Sequence, residues 1–294
     1  MRKRVSIMQY YGAIEAGGTK FVCAIGDEAL NVIERVSIPT TYPEETMTEV
    51  INFFKNYELK SIGIGSFGPI DINKESKTYG YITSTPKTAW KDFDFIGSVK
   101  KYFDVPIAFT TDVNASLYGE YQKGIAKNVD SAVYYTIGTG VGGGAMMNGR
   151  YIQGLSHPEM GHMSIKQHED DDFEGNCPFH HTCLEGLASG PAIEKRAGIK
   201  AKDIEEQDKT WDMVAYYIAQ AAYNTTLMLS PEKIIFGGGV MHQDHLLDKI
   251  HKQFEILNNG YLNLPPVETY IVKPSLNDDQ GVIGCLALAQ SEYK

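Results

Sequence analysis

Apolar and polar positions along the chain alternate in a way that predicts strands and helices in turn. Apolar residues recur at helical spacing from Pro43 to Tyr57 and from Lys209 to Leu229. Short apolar runs flanked by turn residues predict buried strands at "SIGIGSF", "PIAFTTD" and "KIIFGGG". Strands that alternate with helices are typical of an α/β architecture.

Two segments of the chain resemble each other. The runs "YYGAIEAGGTKFVCAIG" and "AVYYTIGTGVGGGAMMNG" each lead from an apolar strand through a Gly/Thr-rich turn into a second apolar strand. Either run alone fits an ordinary hairpin. Together, about 120 residues apart, they predict a duplicated lobe that begins with a hairpin turn of phosphate-binding size.

A chain of 294 residues is long enough for two lobes. We expect an N-terminal lobe from residues 1–115 together with about 276–294, and a C-terminal lobe from residues 116–275. The apolar C-terminal run "GVIGCLALAQSEY" predicts a helix that returns to pack on the first lobe. The acidic stretch "SIKQHEDDDFEG" is interpreted as an exposed, solvated loop without a function.

The net charge of -10 argues against a nucleic-acid partner, because such partners require a basic surface. An anionic nucleotide would therefore be held locally, by backbone amides, one or two lysines and a divalent cation. No apolar run reaches the roughly 18 residues of a membrane span. The start "MRKRVSIMQYYG" lacks the apolar core of a secretory signal, so we expect a cytoplasmic protein with no membrane partner.

Three glycine-rich stretches have the composition of nucleotide-binding loops. Glycines let backbone N–H groups approach a phosphate, while threonine and lysine add a hydroxyl and a charge. A plain turn is the alternative for each stretch. The predicted phosphate and nucleotide contacts are Gly17, Gly18, Thr19 and Lys20 in the first, Thr139 and Gly140 in the second, and Gly237, Gly238, Gly239, Val240 and Met241 in the third.

Asp112 follows a predicted strand and opens a predicted helix. One interpretation is a helix N-cap, a position that aspartate favours. The other is a general base at the carboxyl end of a strand, where α/β folds bind their ligands. Such a carboxylate can take a proton from a sugar hydroxyl as it attacks a phosphoryl group. Asn114 is then a candidate donor to a second hydroxyl.

Cysteine and histidine cluster within "NCPFHHTCLEG". Cys177, His180 and Cys183 follow a C-x2-H-x2-C pattern, and His162 in "HPEMGH" is the nearest fourth partner. Two thiolates and two imidazoles form a normal tetrahedral zinc set. Four protein ligands leave no open position for a catalytic water, so the pattern predicts structural zinc. Free thiols beside surface histidines are the alternative, and a disulfide is disfavoured in a reducing compartment.

Taken in order, these motifs resemble the ROK family of sugar kinases over nearly the whole chain. "EAGGTK" resembles the first phosphate loop of the family, "TDVNASLYGE" its catalytic segment and "IGTGVGGG" its second phosphate loop. "HPEMGHM" and "CPFHHTCLEGLASGPAI" resemble its sugar and zinc segment. The resemblance implies the two-lobed actin-like ATPase fold, a duplicated ribonuclease H-like α/β fold with a zinc-binding loop. It also implies a homodimer that uses ATP with Mg²⁺ and a hexose.

Departures from the common family pattern narrow the expectation. Glu15 stands where many members have aspartate, and Phe179 and His180 replace part of an all-cysteine zinc segment. With "SFGPIDI" and "TPKTAWKDFD", these features resemble the bacterial fructokinase branch. The substrate implied is D-fructose. The matching positions imply Asp112 as base, Asn114, Glu159, His162 and Glu185 as sugar contacts, and Pro191 on the nucleotide side.

Other functions remain open from the sequence. A glucokinase, or a hexose kinase of broader preference, would use the same hydroxyl-binding residues. A sugar-responsive repressor of the same family would carry a helix-turn-helix domain ahead of the first phosphate loop. Only fourteen residues precede Glu15, and the charge is acidic, so both features disfavour a repressor. A sugar- or zinc-binding protein without catalysis is the third alternative.

Overall fold

The computed structural model describes residues 9–85 and 87–293. Residues 1–8, which include the basic start of the chain, lie outside the described residues, as does residue 294. Both belong to the predicted N-terminal lobe. Within the described ranges, no helix is both long enough and apolar enough to cross a membrane.

Strands and helices alternate along the chain. The strands are β1 (Tyr10–Ala16), β2 (Lys20–Gly26), β3 (Val32–Pro39), β4 (Leu59–Ser66), β5 (Tyr81–Ile82), β6 (Phe93–Asp94), β7 (Ile107–Thr111), β8 (Ser131–Ile137), β9 (Val141–Met147), β10 (Arg150–Tyr151), β11 (Lys233–Gly237) and β12 (Ile271–Val272). The helices are α1 (Pro43–Phe54), α2 (Phe95–Lys100), α3 (Asp112–Lys123), α4 (Leu184–Ala188), α5 (Gly190–Ala197), α6 (Lys209–Leu229), α7 (Asp244–Asn258), α8 (Val267–Tyr270) and α9 (Gln280–Tyr293). Short 3₁₀ turns lie at Thr88–Trp90, Met160–His162, Ala201–Asp203 and Gly239–His242.

The chain divides into two compact units. Unit 1 runs to Lys127 and also includes Gly154–His157 and the chain from Ser275 onward, while unit 2 consists of Asn128–Gln153 and Pro158–Pro274. The first division therefore comes after α3, whereas our expected lobe boundary at residue 115 cuts through that helix. The reason is close packing of α3 on α9: a Cβ at Gly284 would lie 1.7 Å from the Ala115 carbonyl oxygen.

The sheet of unit 1 has the strand order β3-β2-β1-β4-β7. β1 pairs with β2, and β2 with β3, in antiparallel fashion, whereas β1 pairs with β4 and β4 with β7 in parallel. The C-terminal helix α9 covers this sheet, as the sequence predicts. Ser61 Oγ donates to the Ala289 carbonyl at 2.6 Å, and a Cβ at Gly63 would lie 1.9 Å from the Cys285 carbonyl oxygen.

Unit 2 repeats this sheet. Its strand order is β10-β9-β8-β11-β12, with two antiparallel pairs followed by two parallel ones. The first strand of each sheet forms a hairpin with the second, and the predicted phosphate turns are the turns of these two hairpins. The α/β class and the duplication predicted from the sequence are therefore confirmed.

The predicted helices have clear boundaries in the structure. α6 spans Lys209–Leu229 as predicted, because the Asp208 side chain accepts from Thr210 N at its start and Ser230 is left-handed at its end. α1 ends at Phe54 instead of Tyr57. Asn56 Nδ2 donates to the Asn52 and Phe53 carbonyl oxygens and so closes the last turn.

The buried carboxylate of Glu120 joins the segment where the chain leaves unit 1 to the segment where the chain returns to it. Glu120 on α3 is 0% exposed. Its oxygens accept hydrogen bonds from Ile125 N at 2.8 Å, Ser275 N at 2.8 Å, Ser275 Oγ at 2.8 Å and Leu276 N at 3.2 Å. Four donors compensate a charge that would otherwise be costly to bury.

The acidic stretch from Ser164 to Gly175 is not wholly a solvated loop, and our interpretation is wrong at Asp171. The side chain of Asp171 is 2% exposed and pairs with Arg196 on α5, which is 7% exposed, at 3.0 Å. Tyr217 on α6 donates a further hydrogen bond to it. Although burial opposes ionisation, these hydrogen bonds hold the pKa of Asp171 below its ordinary value. A run of charged residues in the sequence does not indicate which of them forms an ion pair with a buried side chain.

Candidate active site and metal centre

The first hairpin turn joins β1 to β2 in unit 1. Gly17 N donates to the Lys20 carbonyl at 3.0 Å, and a Cβ at Gly17 would lie 2.9 Å from that oxygen. Thr40 holds the turn from outside, with its Oγ1 donating to the Gly17 carbonyl at 2.8 Å and its N to the Thr19 carbonyl at 3.0 Å. Thr19 and Lys20 are exposed, as residues that contact a phosphate must be.

Glu15 lies near the end of β1, two residues before this turn. A Cβ at Gly281 would lie 2.1 Å from Glu15 Oε1, so the carboxylate rests against the start of α9. Burial raises the pKa of Glu15 to about 7, and the nearby carboxylate of Asp112 adds to this shift, whereas Lys20 opposes it. Asp279 and Asp278 add smaller contributions in the same direction as Asp112. A carboxyl group next to the first turn therefore titrates near neutrality.

Asp112 is the first residue of α3, and it is not the cap of that helix. Thr111 is the N-cap, and its Oγ1 accepts from Asn114 N at 3.2 Å. Asp112 is partly exposed, and its Oδ1 accepts from Val113 N at 2.9 Å. The capping interpretation of Asp112 is therefore wrong, because the threonine before it performs that role.

Asn114 is 2% exposed. Its Nδ2 donates to Thr110 Oγ1 at 3.1 Å, at the end of β7. The two predicted catalytic-segment residues thus differ in setting: Asp112 reaches solvent, whereas Asn114 is directed back toward the strand that precedes it.

The second hairpin turn joins β8 to β9 in unit 2. Gly138 N donates to the Gly140 carbonyl at 2.9 Å, and Thr139 at the tip is exposed. The start of α5 lies against this turn, since Gly190 N donates to the Gly138 carbonyl at 2.8 Å. Pro191 follows at the second helical position, where proline is well tolerated.

The predicted nucleotide loop after β11 lies beside the second turn. Gly238 has a φ of 89°, and a Cβ there would lie 2.5 Å from the Ile137 carbonyl oxygen, so this position requires glycine. Gly239 is exposed with open space around it. Val240 and Met241 are 6% and 2% exposed in the core of unit 2. Any ligand contact at these two residues would have to use their backbone.

Glu185 lies in the first turn of α4, and the structure places it on the second hairpin. Its Oε2 accepts from Val141 N at 3.0 Å, and a Cβ at Gly140 would lie 2.8 Å from the same oxygen. The sequence led us to expect a sugar contact at Glu185 and did not reveal this bond. Glu159 is exposed at the start of a 3₁₀ turn, and its carbonyl accepts from His162 N at 3.0 Å.

The four predicted metal ligands come together in unit 2. The ligand atoms of His162, Cys177, His180 and Cys183 all lie within 4.8 Å of one another. Cys177 Sγ lies 3.7 Å from both His162 Nδ1 and His180 Nδ1, and Cys183 Sγ lies 3.6 Å from His162 Nδ1. Tetrahedral zinc with ordinary bond lengths holds sulfur and nitrogen about 3.5 Å apart. These three sulfur–nitrogen separations are compatible with a shared zinc ion.

The environment of these ligands agrees with a closed centre. Cys177 and Cys183 are each 2% exposed, His162 is half-buried and His180 is exposed. Burial raises the pKa of Cys183 to about 11, so a bound cation is what would keep this thiol ionised. His181 has a φ of 54°, and its N donates to the Cys177 carbonyl at 3.0 Å, so it contributes backbone to the loop.

The chain is similar to known proteins over nearly its whole length. Residues 11–292 match the model of the ROK family. A fructokinase from Streptococcus mutans is 52% identical over 95% of this chain and 97% of its own length. A fructokinase from Lactococcus lactis subsp. cremoris is 53% identical over 97% of this chain and 98% of its own length.

The fold is also similar to that of solved structures. The crystal structure of a ROK hexokinase from Thermus thermophilus superposes with a TM-score of 0.80, covering 97% of this chain and 99% of that one, at 21% identity. At that identity the similarity concerns the fold alone, and it confirms the predicted actin-like ATPase class.

Proposed function

The chain belongs to the ROK family, and from this premise we propose that it transfers a phosphoryl group from ATP to D-fructose, giving fructose 6-phosphate. The observation that carries the proposal is the identity of just over one half, along nearly the whole chain, to two bacterial fructokinases. Fold similarity alone would leave the substrate open, because one fold hosts many functions.

Asp112 is the proposed general base. It follows β7 at the start of α3, where α/β folds bind ligands at the carboxyl ends of strands. Thr111 is the N-cap of the helix, so the N-cap role does not require Asp112, whose Oδ1 accepts from Val113 N. We assign to Asp112 the removal of the proton from the sugar hydroxyl as its oxygen attacks the γ-phosphorus of ATP. Asn114, Glu159, His162 and Glu185 are the proposed sugar contacts.

The two hairpin turns are the proposed phosphate contacts. Gly17, Gly18, Thr19 and Lys20 supply backbone amides, a hydroxyl and an ammonium in unit 1. Thr139 and Gly140 do so in unit 2, with Pro191 and Gly237–Met241 on the nucleotide side. Mg²⁺ prefers one or two carboxylates together with phosphate oxygens, and Glu15 and Asp112 are carboxylates close enough to interact. The ion would neutralise charge on the transferred phosphate.

We propose that the metal centre holds a structural zinc ion. His162, Cys177, His180 and Cys183 would complete a tetrahedral shell, which leaves no position for a reactive water. The fit of the ligand separations to that shell supports the proposal. Family resemblance further supports a homodimer, which light scattering from the purified protein tests by its mass.

The substrate is tested by assays that couple ADP release to a spectrophotometric signal. Fructose, glucose, mannose and N-acetylmannosamine are compared by kcat/KM at fixed Mg-ATP. We expect kcat/KM for fructose to exceed that for each other sugar by at least roughly tenfold, because the loss of a matched hydroxyl contact lowers kcat/KM by about tenfold or more. A higher kcat/KM for glucose would replace the fructokinase assignment by a glucokinase, and no turnover with any sugar would overturn the kinase assignment.

A further inference from the structure

We propose that the metal centre also sets the conformation of the second hairpin turn, Ile137–Val141, and so contributes to binding of nucleotide phosphates. The role of this turn in phosphate binding rests on the proposed function, whereas the mechanical link between metal and turn does not. The link runs through a single residue of the turn, Val141, whose amide donates a hydrogen bond to one segment of unit 2 and whose carbonyl packs against another.

The amide of Val141 is held by Glu185. Glu185 Oε2 accepts from Val141 N at 3.0 Å and also lies close to Gly140. A hydrogen bond to a charged acceptor is worth more than one between neutral groups. The carboxylate therefore fixes the point where the turn passes into β9.

Gly161 packs closely against the carbonyl of Val141. A Cβ at Gly161 would lie 1.7 Å from the Val141 carbonyl oxygen, so the two backbones are in direct contact. Met160, the residue before Gly161, packs on β9. Its Cβ lies 2.8 Å from the position that a Cβ of Gly143 would occupy. Only glycine at position 161 permits this approach.

Both holding segments carry a metal ligand. Gly161 immediately precedes His162, and Glu185 stands two residues after Cys183. Cys183 Sγ lies 3.6 Å from His162 Nδ1, so one ion bound by both would join the two segments directly. Backbone contacts run the same way, because Leu184 N donates to the Met163 carbonyl at 3.1 Å.

Removing the ion would loosen both contacts of Val141 at once, the one with Glu185 and the one with Gly161. Without an ion between them, Cys183 Sγ and His162 Nδ1 would be left with only their direct contact at 3.6 Å, and sulfur is a weak hydrogen-bonding partner. One hold does not depend on the metal: Gly190 N still donates to the Gly138 carbonyl at 2.8 Å. We therefore expect a loosened turn and not an unfolded one.

Hydrogen exchange followed by mass spectrometry tests the link without using turnover. The full-length protein is compared as zinc-loaded and as zinc-depleted samples, with zinc content measured in each. We expect zinc removal to speed exchange of amides 138–145 by roughly tenfold or more, in addition to faster exchange within the loop 160–187. Faster exchange confined to 160–187, with 138–145 unchanged, would overturn the proposal.

Two zinc-loaded variants separate the link from general loss of structure. Gly161→Ala places a methyl group against the Val141 carbonyl, and Glu185→Gln removes the charged acceptor of Val141 N without adding bulk. We expect both to retain zinc and to weaken ADP binding, measured by calorimetry, by roughly tenfold, as losses of supporting contacts commonly do. Gly154→Ala is the matched control, because a Cβ there meets nothing within 4 Å.

The outcomes separate the link from the proposed function. Unchanged exchange at 138–145 in both zinc-loaded variants would overturn the link even if fructose were phosphorylated. If zinc-loaded wild-type protein bound no ADP, the nucleotide role would fall with the kinase assignment, while the exchange experiment would still decide whether metal and turn are coupled.

Discussion

The two hairpin turns occupy equivalent places in equivalent sheets, yet they are supported in different ways. In unit 1 the turn is held by Thr40, which bonds to the Gly17 and Thr19 carbonyls from the end of the adjacent strand. In unit 2 the turn is bonded to Glu185 and packs against Gly161, which belong to segments that carry the proposed metal ligands. Duplication has thus preserved strand order and hairpin geometry, but not the groups that stabilise the turn.

The charges beside the two turns differ as well. The first turn has Lys20 and the neighbouring carboxylates Glu15 and Asp112, whose charges interact with one another. The second has an exposed threonine, Thr139, and the carboxylate of Glu185, which is engaged with the backbone. Unit 1 therefore carries the carboxylate to which we assign proton transfer, whereas the carboxylate beside the turn of unit 2 is bonded to the backbone of the loop.

Among the substitutions that test this difference between the units, we expect replacement of Asp112 to have the largest effect on activity. We expect Asp112→Asn to lower kcat by about 10²- to 10⁴-fold, because an amide cannot accept the proton, while ADP affinity changes little. Steady-state kinetics and calorimetry measure the two effects.

A matched control exists in the same unit. Asp94 caps α2 by accepting from Gly97 N at 2.7 Å, and asparagine caps almost as well as aspartate. Asp94→Asn should therefore leave kcat unchanged. A value of kcat within about threefold of wild type for Asp112→Asn would remove the residue from proton transfer.

Loss of a metal ligand tests the support in unit 2. We expect Cys177→Ala to lose zinc and to lower Tm by roughly 5–10 °C, because metal binding is coupled to folding of the loop. Metal analysis and thermal unfolding provide the two readouts.

Cys23→Ala is the comparison in unit 1. It removes an equally buried thiol that has no metal to bind. Its Tm should fall less than that of Cys177→Ala, and its zinc content should equal that of wild type. Equal losses of Tm in the two variants would mean that the ligand cysteine stabilises only by packing.

One glutamate in each unit extends the comparison of the two units to their stability. Glu120 in unit 1 is buried with four donors, whereas Glu232 in unit 2 is exposed and accepts from Asp130 N at 2.7 Å, Ser131 N at 2.9 Å and Ser131 Oγ at 3.1 Å. We expect Glu120→Gln to lower the free energy of unfolding by about 2–3 kcal/mol, since it leaves buried donors without an acceptor.

Denaturant unfolding of both variants measures this difference. Glu232→Gln should have a clearly smaller effect, because water can replace the lost acceptor at an exposed position. If the two substitutions were equally destabilising, burial of the Glu120 carboxylate would not be the reason for its contribution.

Local chemistry was predictable from the sequence where it depends on residues near in the chain. The hairpins, α6 and the Cys/His cluster follow from periodicity, turn residues and ligand spacing within short segments. The bond from Glu185 to Val141 N spans 44 residues, and no local pattern indicates it. The same holds for the burial of Asp171, whose partner Arg196 lies 25 residues away.

The position of α3 illustrates a second limit. The expected lobe boundary at residue 115 lies within α3. The helix stays with unit 1 because Gly119 and Gly284 allow α3 and α9 to approach closely, and a Cβ at Gly119 would lie 2.1 Å from the Gln280 carbonyl oxygen. Small residues far apart in the chain indicate such packing only after both helices are placed.

The smallest expected effect concerns Glu15, whose pKa is raised from 4.5 to about 7 mainly by burial and then by Asp112. The folded protein therefore binds this proton more tightly than the unfolded chain does. Its stabilising contribution is fully present below pH 4.5 and is lost as the pH rises through 7. Glu15→Gln, which is neutral throughout, should gain stability relative to wild type by about 1–3 kcal/mol between pH 5 and pH 8.

Thermal unfolding at several pH values, without added Mg²⁺ or nucleotide, measures this gain, because a bound cation would itself lower the pKa of the carboxyl group. Glu58→Gln removes the same charge from an exposed position and serves as the control. If the Glu15→Gln and wild-type profiles ran parallel from pH 5 to 8, the carboxyl group beside the first turn would not titrate near neutrality. The electrostatic difference between the two hairpins would then reduce to Lys20 and Asp112.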